Sequence, residues 1–339
     1  MQTESLQADD KGFARAAEIL RAGGLVGMPT ETVYGLAANA LDSTAVTKIF
    51  AAKGRPADNP LIVHIAKFEQ IYDLVKEVPP AAKKLAEVFW PGPMTMVLPK
   101  ADCIPDTVSA GMPTVAIRFP SHPAAQRLIR ESGLPLAAPS ANTSGRPSPT
   151  TAQHVLHDLG GKIDAVLDGG SCGVGVESTV ITLATNPPRL LRPGGITLEQ
   201  LRSVLGTVDM DDAVLHPLKP GVRAASPGMK YKHYSPKADV IILDGNDEQY
   251  IRYVNAHAAP GVMALCYDGD DASLKVPAIC YGSRTNDSAK AHELFDALRS
   301  FDERGATTVY ARCPAPKGVG LAVYNRLIRA AGFEVIHLD

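Results

Sequence analysis

The chain has 339 residues, of which 45% are hydrophobic and 21% charged, and its formal net charge at pH 7 is −2. A typical domain has roughly 100–200 residues, so this length predicts two domains with separate cores, and the composition is that of a globular protein rather than a disordered or fibrous one. No apolar run approaches the roughly 20 residues that span a bilayer, and the N-terminus lacks a basic flank followed by a hydrophobic stretch, so we expect a cytoplasmic protein.

The N-terminal part, which we take to be a domain of residues 1–206, alternates strand-like and helix-like segments. Its hydrophobic periodicity predicts an α/β fold with a mixed sheet. The predicted strands are GGLVGMP (23–29) and residues 61–65, 94–99, 114–119, 134–140, 165–170 and 178–183. The predicted helices are residues 43–52, 80–89, 122–131, 150–159 and 197–205.

Residues 207–237 carry four prolines and little periodicity, which indicates a linker. Five basic residues and no acidic residue fall within 219–237, so this linker is locally cationic. From residue 238 to residue 339 a strand–helix alternation returns, which predicts a smaller Rossmann-like α/β/α domain. Its GVGLAV stretch from Gly318 is placed like a dinucleotide-binding turn, but Val323 replaces the third glycine, so close helix packing is the alternative.

Three polar clusters follow predicted strands or helices of the N-terminal domain, and loops at strand ends are where α/β folds place ligands. PTETVYGL (29–36) holds four hydrogen-bonding side chains, although a polar turn ending at Gly35 would explain them too. KGRPADNPLIVH (53–64) combines two cations, Asn59 and a histidine within an apolar strand, and Lys53 and Arg55 could instead offset a helix dipole. APSANTSGRPSPT (138–150) offers small hydroxyls and backbone amides that suit phosphate, or an N-cap for the next helix.

Two arginines lie within apolar strands, where a guanidinium is costly to bury without a partner. Arg118 and Arg192 could therefore meet a ligand carboxylate or phosphate, or could form salt bridges with Asp168 or Glu177. Walker, nucleophile-elbow and HExxH motifs are absent from the sequence. The five cysteines are far apart without CxxC spacing, so we expect reduced thiols rather than a zinc site. Such residues suit phosphoryl chemistry by positioning and charge stabilisation.

Several of these motifs, in this order, resemble the YrdC-like threonylcarbamoyl-AMP synthases. They are PTETVYGL, KGRPxxNPLxxH, PGPMT (91–95), RFP (118–120), APSAN and ESTV (177–180). The resemblance covers residues 10–205, and SPGMKYKHYSP (226–236) together with the C-terminal domain is similar to the long, two-domain form. It implies a twisted mixed sheet that lines a large concave cavity. It also implies a nucleotidyltransferase that makes threonylcarbamoyl-AMP and pyrophosphate from L-threonine, bicarbonate or CO2, and ATP, for threonylcarbamoyladenosine modification of tRNA.

The resemblance also implies roles for individual residues. For L-threonine it implies contacts from Thr32, His64, Arg118, Ala138 and Ser178. For ATP it implies contacts from Arg55, Asn59, Thr114, Ser140, Ser148, Arg192 and Tyr231, with Lys53 and Arg55 as the catalytic cations near the phosphates. We expect Mg²⁺ to accompany the triphosphate and no organic cofactor. A lid formed by Tyr231, His233 and Tyr234 would exclude water from the mixed anhydride.

Two other functions compete with this interpretation. An RNA-binding module would need a strong positive field, but residues 1–206 hold 19 basic and 19 acidic side chains, so we expect at most a weak tRNA contact. A carbamoyltransferase-like domain would be expected beside a zinc-finger segment, and the cysteine spacing does not supply one. A downstream tRNA threonylcarbamoyl transferase is the partner that would accept the product.

Overall fold

The computed structural model describes residues 2–218 and 233–339. These residues divide into two compact units, which are described separately below. The first unit contains residues 2–144 and 148–218, and the second contains residues 145–147 and 233–339. The three residues 145–147 come from the middle of the APSANTSGRPSPT segment, so this loop contributes to both units.

The first unit is built on a mixed sheet that, within the described residues, has the order β1-β8-β2-β3-β7-β4-β6-β5-β9-β10-β11. Its strands are β1 (Glu4–Gln7), β2 (Val26–Met28), β3 (Gly35–Asn39), β4 (Ile62–His64), β5 (Met94–Pro99), β6 (Thr114–Arg118), β7 (Leu136–Ala137), β8 (Ala165–Asp168), β9 (Thr179–Thr182), β10 (Arg189–Arg192) and β11 (Asp209–Met210). The pair β4–β6 is parallel, whereas β5–β6 and β4–β7 are antiparallel. The predicted mixed α/β fold is confirmed.

Helices pack on this sheet. They are α1 (Asp10–Arg21), α2 (Ser43–Lys53), α3 (Ile71–Leu74), α4 (Pro80–Phe89), α5 (Asp106–Ser109), α6 (Pro123–Ser132), α7 (Ala152–Leu159) and α8 (Leu198–Leu205). Helix α2 shows how local sequence sets the ends: the carboxylate of Asp42 accepts hydrogen bonds from the first-turn N–H groups, and Gly54 ends the helix with φ +60°. Lys53 is therefore the last helical residue, and it is held buried at the helix C-terminus.

The apolar core of the first unit fills the space between the sheet and its helices. One cluster includes Leu36, Val46, Ile49, Val63 and Ile117, all fully buried. A second cluster joins α1, α6 and the strands near β2, so that both helices bury their apolar faces. These rigid elements position the loops that follow β2, α2, β6 and β7, which carry the polar motifs.

The second unit is a five-stranded, fully parallel sheet in the order β14-β13-β15-β12-β16. Its strands are β12 (Asp239–Asp244), β13 (Val262–Cys266), β14 (Ala278–Cys280), β15 (Thr308–Arg312) and β16 (Val335–His337). Its helices are α9 (Asp247–Ala256), α10 (Asp287–Glu303) and α11 (Gly320–Ala330). The predicted Rossmann-like alternation is confirmed, since each connection between these parallel strands crosses over through a helix or a loop segment.

The glycine at the start of α11 serves close packing. A Cβ atom on Gly320 would lie 2.4 Å from the carbonyl oxygen of Ala315, which is backbone and cannot move aside cheaply. This contact accounts for Gly320, and φ +53° accounts for Gly318, without a bound nucleotide. It agrees with the packing alternative stated for that stretch.

Candidate active site

The strand register brings three polar side chains from separate motifs into one row. His64 ends β4 and pairs with Arg118, which ends the neighbouring parallel strand β6. Arg118 in turn pairs with Thr95 of β5 on its other side. Residues that pair in register on adjacent strands point to the same face of a sheet, so these three side chains form the floor of the site.

Arg118 is the centre of this row and is only 4% exposed. Its Nη1 donates to Oγ1 of Thr32 at 2.9 Å, and its Nη2 lies 2.8 Å from Oε1 of Glu31. Glu31, rather than Asp168 or Glu177, is thus its ion-pair partner. The buried Nε of Arg118 has no hydrogen-bond partner among the described residues, so one edge of the guanidinium fork can receive a ligand oxygen.

The Glu31 carboxylate keeps its charge although it is buried. Burial alone would raise the pKa of Glu31, but the charge and hydrogen bond of Arg118 outweigh it and hold the pKa below its usual value. The loop that follows β8 covers this segment, since the N–H of Val174 donates to the carbonyl oxygen of Glu31 at 2.7 Å. The pair is therefore fixed inside the protein rather than exposed at its surface.

His64 is uncharged at neutral pH. Burial, followed by the positive charge of Arg118, lowers the pKa of His64 to about 3. Its Nδ1 lies 3.1 Å from the carbonyl oxygen of Ile62, and because a carbonyl only accepts, Nδ1 carries the proton. The other ring nitrogen, Nε2, is then an acceptor in the neutral ring.

A second buried network lies on the far side of β5. Oγ of Ser178 is 2.8 Å from Oγ1 of Thr95, and Arg192 donates from Nε to the Ser178 carbonyl at 3.0 Å and from Nη2 to the Ser178 hydroxyl at 3.2 Å. A Cβ atom on Gly194 would lie 2.4 Å from the Thr179 nitrogen, so only glycine lets the loop after Arg192 approach β9 this closely. Ser178 and Arg192, predicted for threonine and ATP, thus lie side by side.

Lys53 joins α2 to the APSANTSGRPSPT loop. Its Nζ donates to the carbonyl oxygen of Ser140 at 2.5 Å and to that of Asn142. Its own carbonyl accepts from the N–H of Ser144 at 2.9 Å. The ammonium group therefore fixes the loop backbone, and its predicted position near phosphates stays a prediction.

The same loop pairs with the PTETVYGL segment. Gly35 and Ser140 form an antiparallel bridge, and the N–H of Tyr34 donates to the carbonyl oxygen of Pro149 at 2.8 Å. Ser148 donates from Oγ to Oε1 of Glu177 at 2.5 Å. These contacts bring the first and third polar clusters together, and Ala138 is the first residue after β7.

The remaining predicted ATP contacts are more spread out. Nη2 of Arg55 lies 3.3 Å from the carbonyl oxygens of both Asn59 and Pro60. Asn59 is 1% exposed, and its Oδ1 has no hydrogen-bond partner within residues 2–218 and 233–339, as expected of a group kept for a ligand. Thr114 begins β6, roughly 13 Å along the strand from Arg118.

The predicted lid residues are only partly described. Tyr231 lies outside the described residues. Tyr234, at φ +64°, is buried in the second unit, where its ring centroid lies 5.2 Å from that of Phe295 and 5.6 Å from that of His233. The lid itself stays a prediction.

The described part of the site contains neither an activated thiol nor a metal cage. Burial raises the pKa of Cys172 to about 12, so the one cysteine beside Thr30 and Glu31 stays a thiol. Among the described residues, no group of three or more His, Cys, Asp or Glu side chains could hold a metal ion. Nor does any helix in that part of the chain have the length and apolarity to cross a membrane. The arrangement can therefore orient and neutralise anions but does not supply a nucleophile.

The sequence predicts no substrate contact for three residues of this site, Glu31, Thr95 and Glu177. It marks Glu31 as a polar side chain, Thr95 as part of a motif and Glu177 as a possible salt-bridge partner. Their hydrogen bonds and ion pairs join residues 83, 29 and 87 positions apart, namely Thr95 to Ser178, Ser148 to Glu177 and Glu31 to Arg118. The signal available was their place inside the motifs beside the predicted ligand residues.

Comparison with known proteins defines the class first. Residues 18–194 match the family model named for Sua5, YciO and YrdC, described as telomere recombination, and residues 196–332 match the model described as threonylcarbamoyl-AMP synthase, C-terminal domain. E. coli YciO, at 24% identity and a TM-score of 0.51 over 57% of this chain and 95% of that chain, shares the fold of the first unit alone. The two family models thus define a YrdC-like nucleotidyltransferase with an added C-terminal domain.

Full-length relatives give the particular family. The Bacillus subtilis threonylcarbamoyl-AMP synthase is 48% identical over 98% of this chain and 97% of that protein. A crystal structure of Pyrococcus abyssi Sua5 complexed with L-threonine matches with a TM-score of 0.92 and 44% identity, covering 100% of both chains. The chain belongs to the threonylcarbamoyl-AMP synthase family, and its activity is the synthesis of threonylcarbamoyl-AMP.

Proposed function

We propose that the first unit binds L-threonine in the row formed by His64, Arg118 and Thr95, and binds ATP along the loop that Lys53 fixes. Bicarbonate or CO2 forms a carbamate on the threonine amine, with loss of water or of a proton respectively. A carbamate oxygen then attacks the α-phosphorus of ATP, and the bond to pyrophosphate breaks. The products are threonylcarbamoyl-AMP and pyrophosphate.

The observation that carries this proposal is the state of Arg118. Its guanidinium is buried, charge-paired with Glu31, oriented by Thr32, and retains an Nε donor with no partner in the described residues. The planar guanidinium of Arg118 can donate to both oxygens of a carboxylate along the edge that carries the Nε donor. Water would need more space than this buried site offers to solvate the same charge. We assign it the threonine carboxylate.

The neighbours of Arg118 complete the amino-acid site. Neutral His64 presents Nε2 as an acceptor, and Ser178, held by Thr95 and Arg192, offers a fixed hydroxyl. Thr32 and the backbone of Ala138 are the remaining contacts to threonine that the family resemblance implies. An uncharged histidine suits this place because a second cation beside Arg118 would be repelled.

The residues proposed to bind ATP act by stabilising negative charge, and none of them is proposed as a general base. Arg55, Asn59, Thr114, Ser140, Ser148, Arg192 and Tyr231 form the proposed ATP-binding set. The transferring α-phosphate gains negative charge on its oxygens as the carbamate attacks, and fixed guanidinium and hydroxyl donors stabilise that charge without reorganisation. Lys53 acts here by fixing the carbonyls and hence the hydroxyl positions of the loop.

Magnesium would enter as part of the nucleotide substrate. The donors proposed for ATP are cations, hydroxyls and amides, which do not form a protein cage for a divalent ion. Mg²⁺ commonly keeps several waters and binds phosphate oxygens, so this donor set fits MgATP rather than a resident metal. The ion would neutralise the pyrophosphate that leaves.

We place this reaction in the cytoplasm, upstream of a transferase that moves the threonylcarbamoyl group to tRNA. The balance of 19 basic and 19 acidic side chains in residues 1–206 favours a small-molecule site there over a tRNA-binding surface.

Substitution of Arg118 by lysine tests the threonine assignment. We expect the KM for threonine to rise about 10- to 100-fold, the loss typical of a charge-assisted bidentate contact, while the KM for ATP stays unchanged. Arg127→Lys, on the outer face of α6, is the matched control. An unchanged KM for threonine, or equal losses for both substrates, would contradict the assignment.

A further inference from the structure

The second unit contains a cavity of its own, about 290 Å³ in volume. It lies where β12, β13 and β15 end, and all of its lining residues belong to the second unit. The side chains that matter for its chemistry are Asp244, Tyr267, Arg284, Lys290, Cys313 and Tyr324. None of them has a role in the proposed synthesis.

The order of the strands explains why a cavity opens here. From β12 the chain crosses two positions to β13 on one side, and from β15 it crosses two positions to β16 on the other. Strands β12 and β15 are neighbours, so their following loops leave in opposite directions and a crevice remains between them. Open parallel sheets bind ligands in such crevices, at the carboxyl ends of the strands.

One wall of the cavity is basic. Lys290 is 1% exposed, with its Nζ 2.8 Å from Oδ1 of Asp287 and 2.8 Å from the carbonyl oxygen of Arg284. Arg284 stacks over Tyr267 at 5.1 Å and shares the single carboxylate of Asp247 with the buried Arg312. Burial, followed by the charge of Arg312, lowers the pKa of Arg284, although Arg312 is itself held by Asp270 through Nε at 2.8 Å and Nη2 at 3.0 Å.

The cavity is also lined by a carboxylate, that of Asp244, which ends β12. Burial raises the pKa of both Cys313 and Tyr324, and the negative charge of Asp244 adds to both shifts. The pKa of Cys313 is about 12, so its thiol stays neutral and Asp244 is the negative group among these lining residues. Asp244 is half exposed and also lies 3.0 Å from Nδ1 of His337.

We propose that this cavity binds a small zwitterion with the size and charge separation of an α-amino acid. Its carboxylate lies against Arg284 and Lys290, its ammonium group lies against Asp244, and its side chain packs on the rings of Tyr267 and Tyr324. A ligand with only an anionic group would leave Asp244 facing a like charge, and one with only a cation would face two cations.

The size of the cavity favours the same class of ligand. Pockets for drug-sized ligands usually hold roughly 300–1,000 Å³, so 290 Å³ is small for a nucleotide and ample for an amino acid. The site is distinct from the row around Arg118, which belongs to the first unit. It would give the C-terminal domain a ligand of its own.

Hydrogen–deuterium exchange of the full-length protein can locate such binding, because the two sites fall on different peptides. Each of the standard L-amino acids, and inorganic phosphate, is added in turn. We expect at least one amino acid to protect the backbone of residues 281–293 and 312–326, and phosphate to protect neither segment.

Two half-exposed side chains supply the variants. Asp244→Asn and Arg284→Gln should each raise the Kd of the amino acid that gives protection by about 10- to 100-fold, since each substitution removes one charged contact. Arg252→Gln, on the outside of α9, removes a surface charge as the matched control and should leave binding unchanged. The proposal is overturned if no amino acid protects these segments, if phosphate alone does, or if protection survives both substitutions.

Discussion

Single side chains in this enzyme are held in charge states that their neighbours impose. Arg118 is buried and the carboxylate oxygens of Glu31 are shielded from solvent, so each charge would be costly there without the other. Together they neutralise each other and leave the guanidinium partly free for substrate. The ion pair therefore fixes the orientation of the Arg118 guanidinium more than it stabilises the fold. Replacing a buried ion pair by apolar residues often leaves the free energy of unfolding unchanged.

His64 makes folding stability depend on pH. Its pKa in the folded protein is about 3, against a usual value near 6.5, so the unfolded chain takes up a proton at a higher pH than the folded protein does. The stability that neutral His64 allows is fully present above about pH 6.5 and is lost as the pH falls towards 3. At pH 5 this loss is about 2 kcal/mol, from 1.36 kcal/mol per unit of pKa shift.

The measurement is chemical denaturation at pH 7 and pH 5. In the wild-type protein the free energy of unfolding should fall by about 2 kcal/mol more than in His64→Gln, which cannot titrate. His216→Gln provides a control from the first unit. Equal pH dependence in wild type and His64→Gln would show that His64 is not held neutral.

At the scale of elements, Lys53 couples a helix end to a loop. The ammonium group at the C-terminus of α2 holds the carbonyls of Ser140 and Asn142, and so it sets the shape of a loop between β7 and α7. Ser140 and Ser148 are proposed ATP contacts on that loop. Loss of the Lys53 hydrogen bonds should therefore weaken the binding of ATP rather than the binding of threonine.

Lys53→Met tests this coupling. Methionine keeps the apolar stem but leaves two buried carbonyls without their donor, which should lower the free energy of unfolding by about 2–4 kcal/mol. The KM for ATP should rise while the KM for threonine changes little. Lys48→Met, on the same helix and bonded to the carbonyl of Gly23, is the matched control. A fall in kcat at unchanged KM for ATP would instead place Lys53 in contact with the reacting phosphates.

Most elements could be predicted because their periodicity is plain. The sequence predicts helix 80–89 and strand 94–99, and the structure has Pro80–Phe89 and Met94–Pro99. Helix α1 was not among the predicted helices, although Asp9 caps it and Phe13, Ala16, Ala17 and Leu20 are buried at helical spacing, so both local signals were present in the sequence. Strand β10 was missed because Arg189 and Arg192 enclose only two apolar residues.

The sequence identified several residues of the site but did not predict which of them contact each other. Motif resemblance supplied Arg118, His64 and Ser178, whereas their arrangement depends on the register of β4, β6 and β5, which a single sequence does not encode locally. Glu31 pairs with Arg118 across 87 positions, and no local pattern distinguishes it from Asp168 or Glu177 as the partner. Such pairings are decided by tertiary structure.

At the scale of the molecule, the proposed lid combines Tyr231, which lies outside the described residues, with His233 and Tyr234, which belong to the second unit. Replacing Tyr231 and His233 by alanine should lower turnover or shorten the lifetime of threonylcarbamoyl-AMP, because water would reach the mixed anhydride. Product decay after rapid mixing with ATP, threonine and bicarbonate measures this. Lys237→Ala removes a cation from the same segment as a control. Unchanged turnover together with an unchanged product lifetime would reduce the segment to a tether.

The synthesis of threonylcarbamoyl-AMP itself is tested most directly by pyrophosphate release from the whole protein. With MgATP, L-threonine and bicarbonate together, we predict steady release, and we predict that omitting either threonine or bicarbonate abolishes it. The same omissions should abolish formation of the adenylated product, seen by mass spectrometry. Pyrophosphate release that continues at the same rate without threonine would contradict the account.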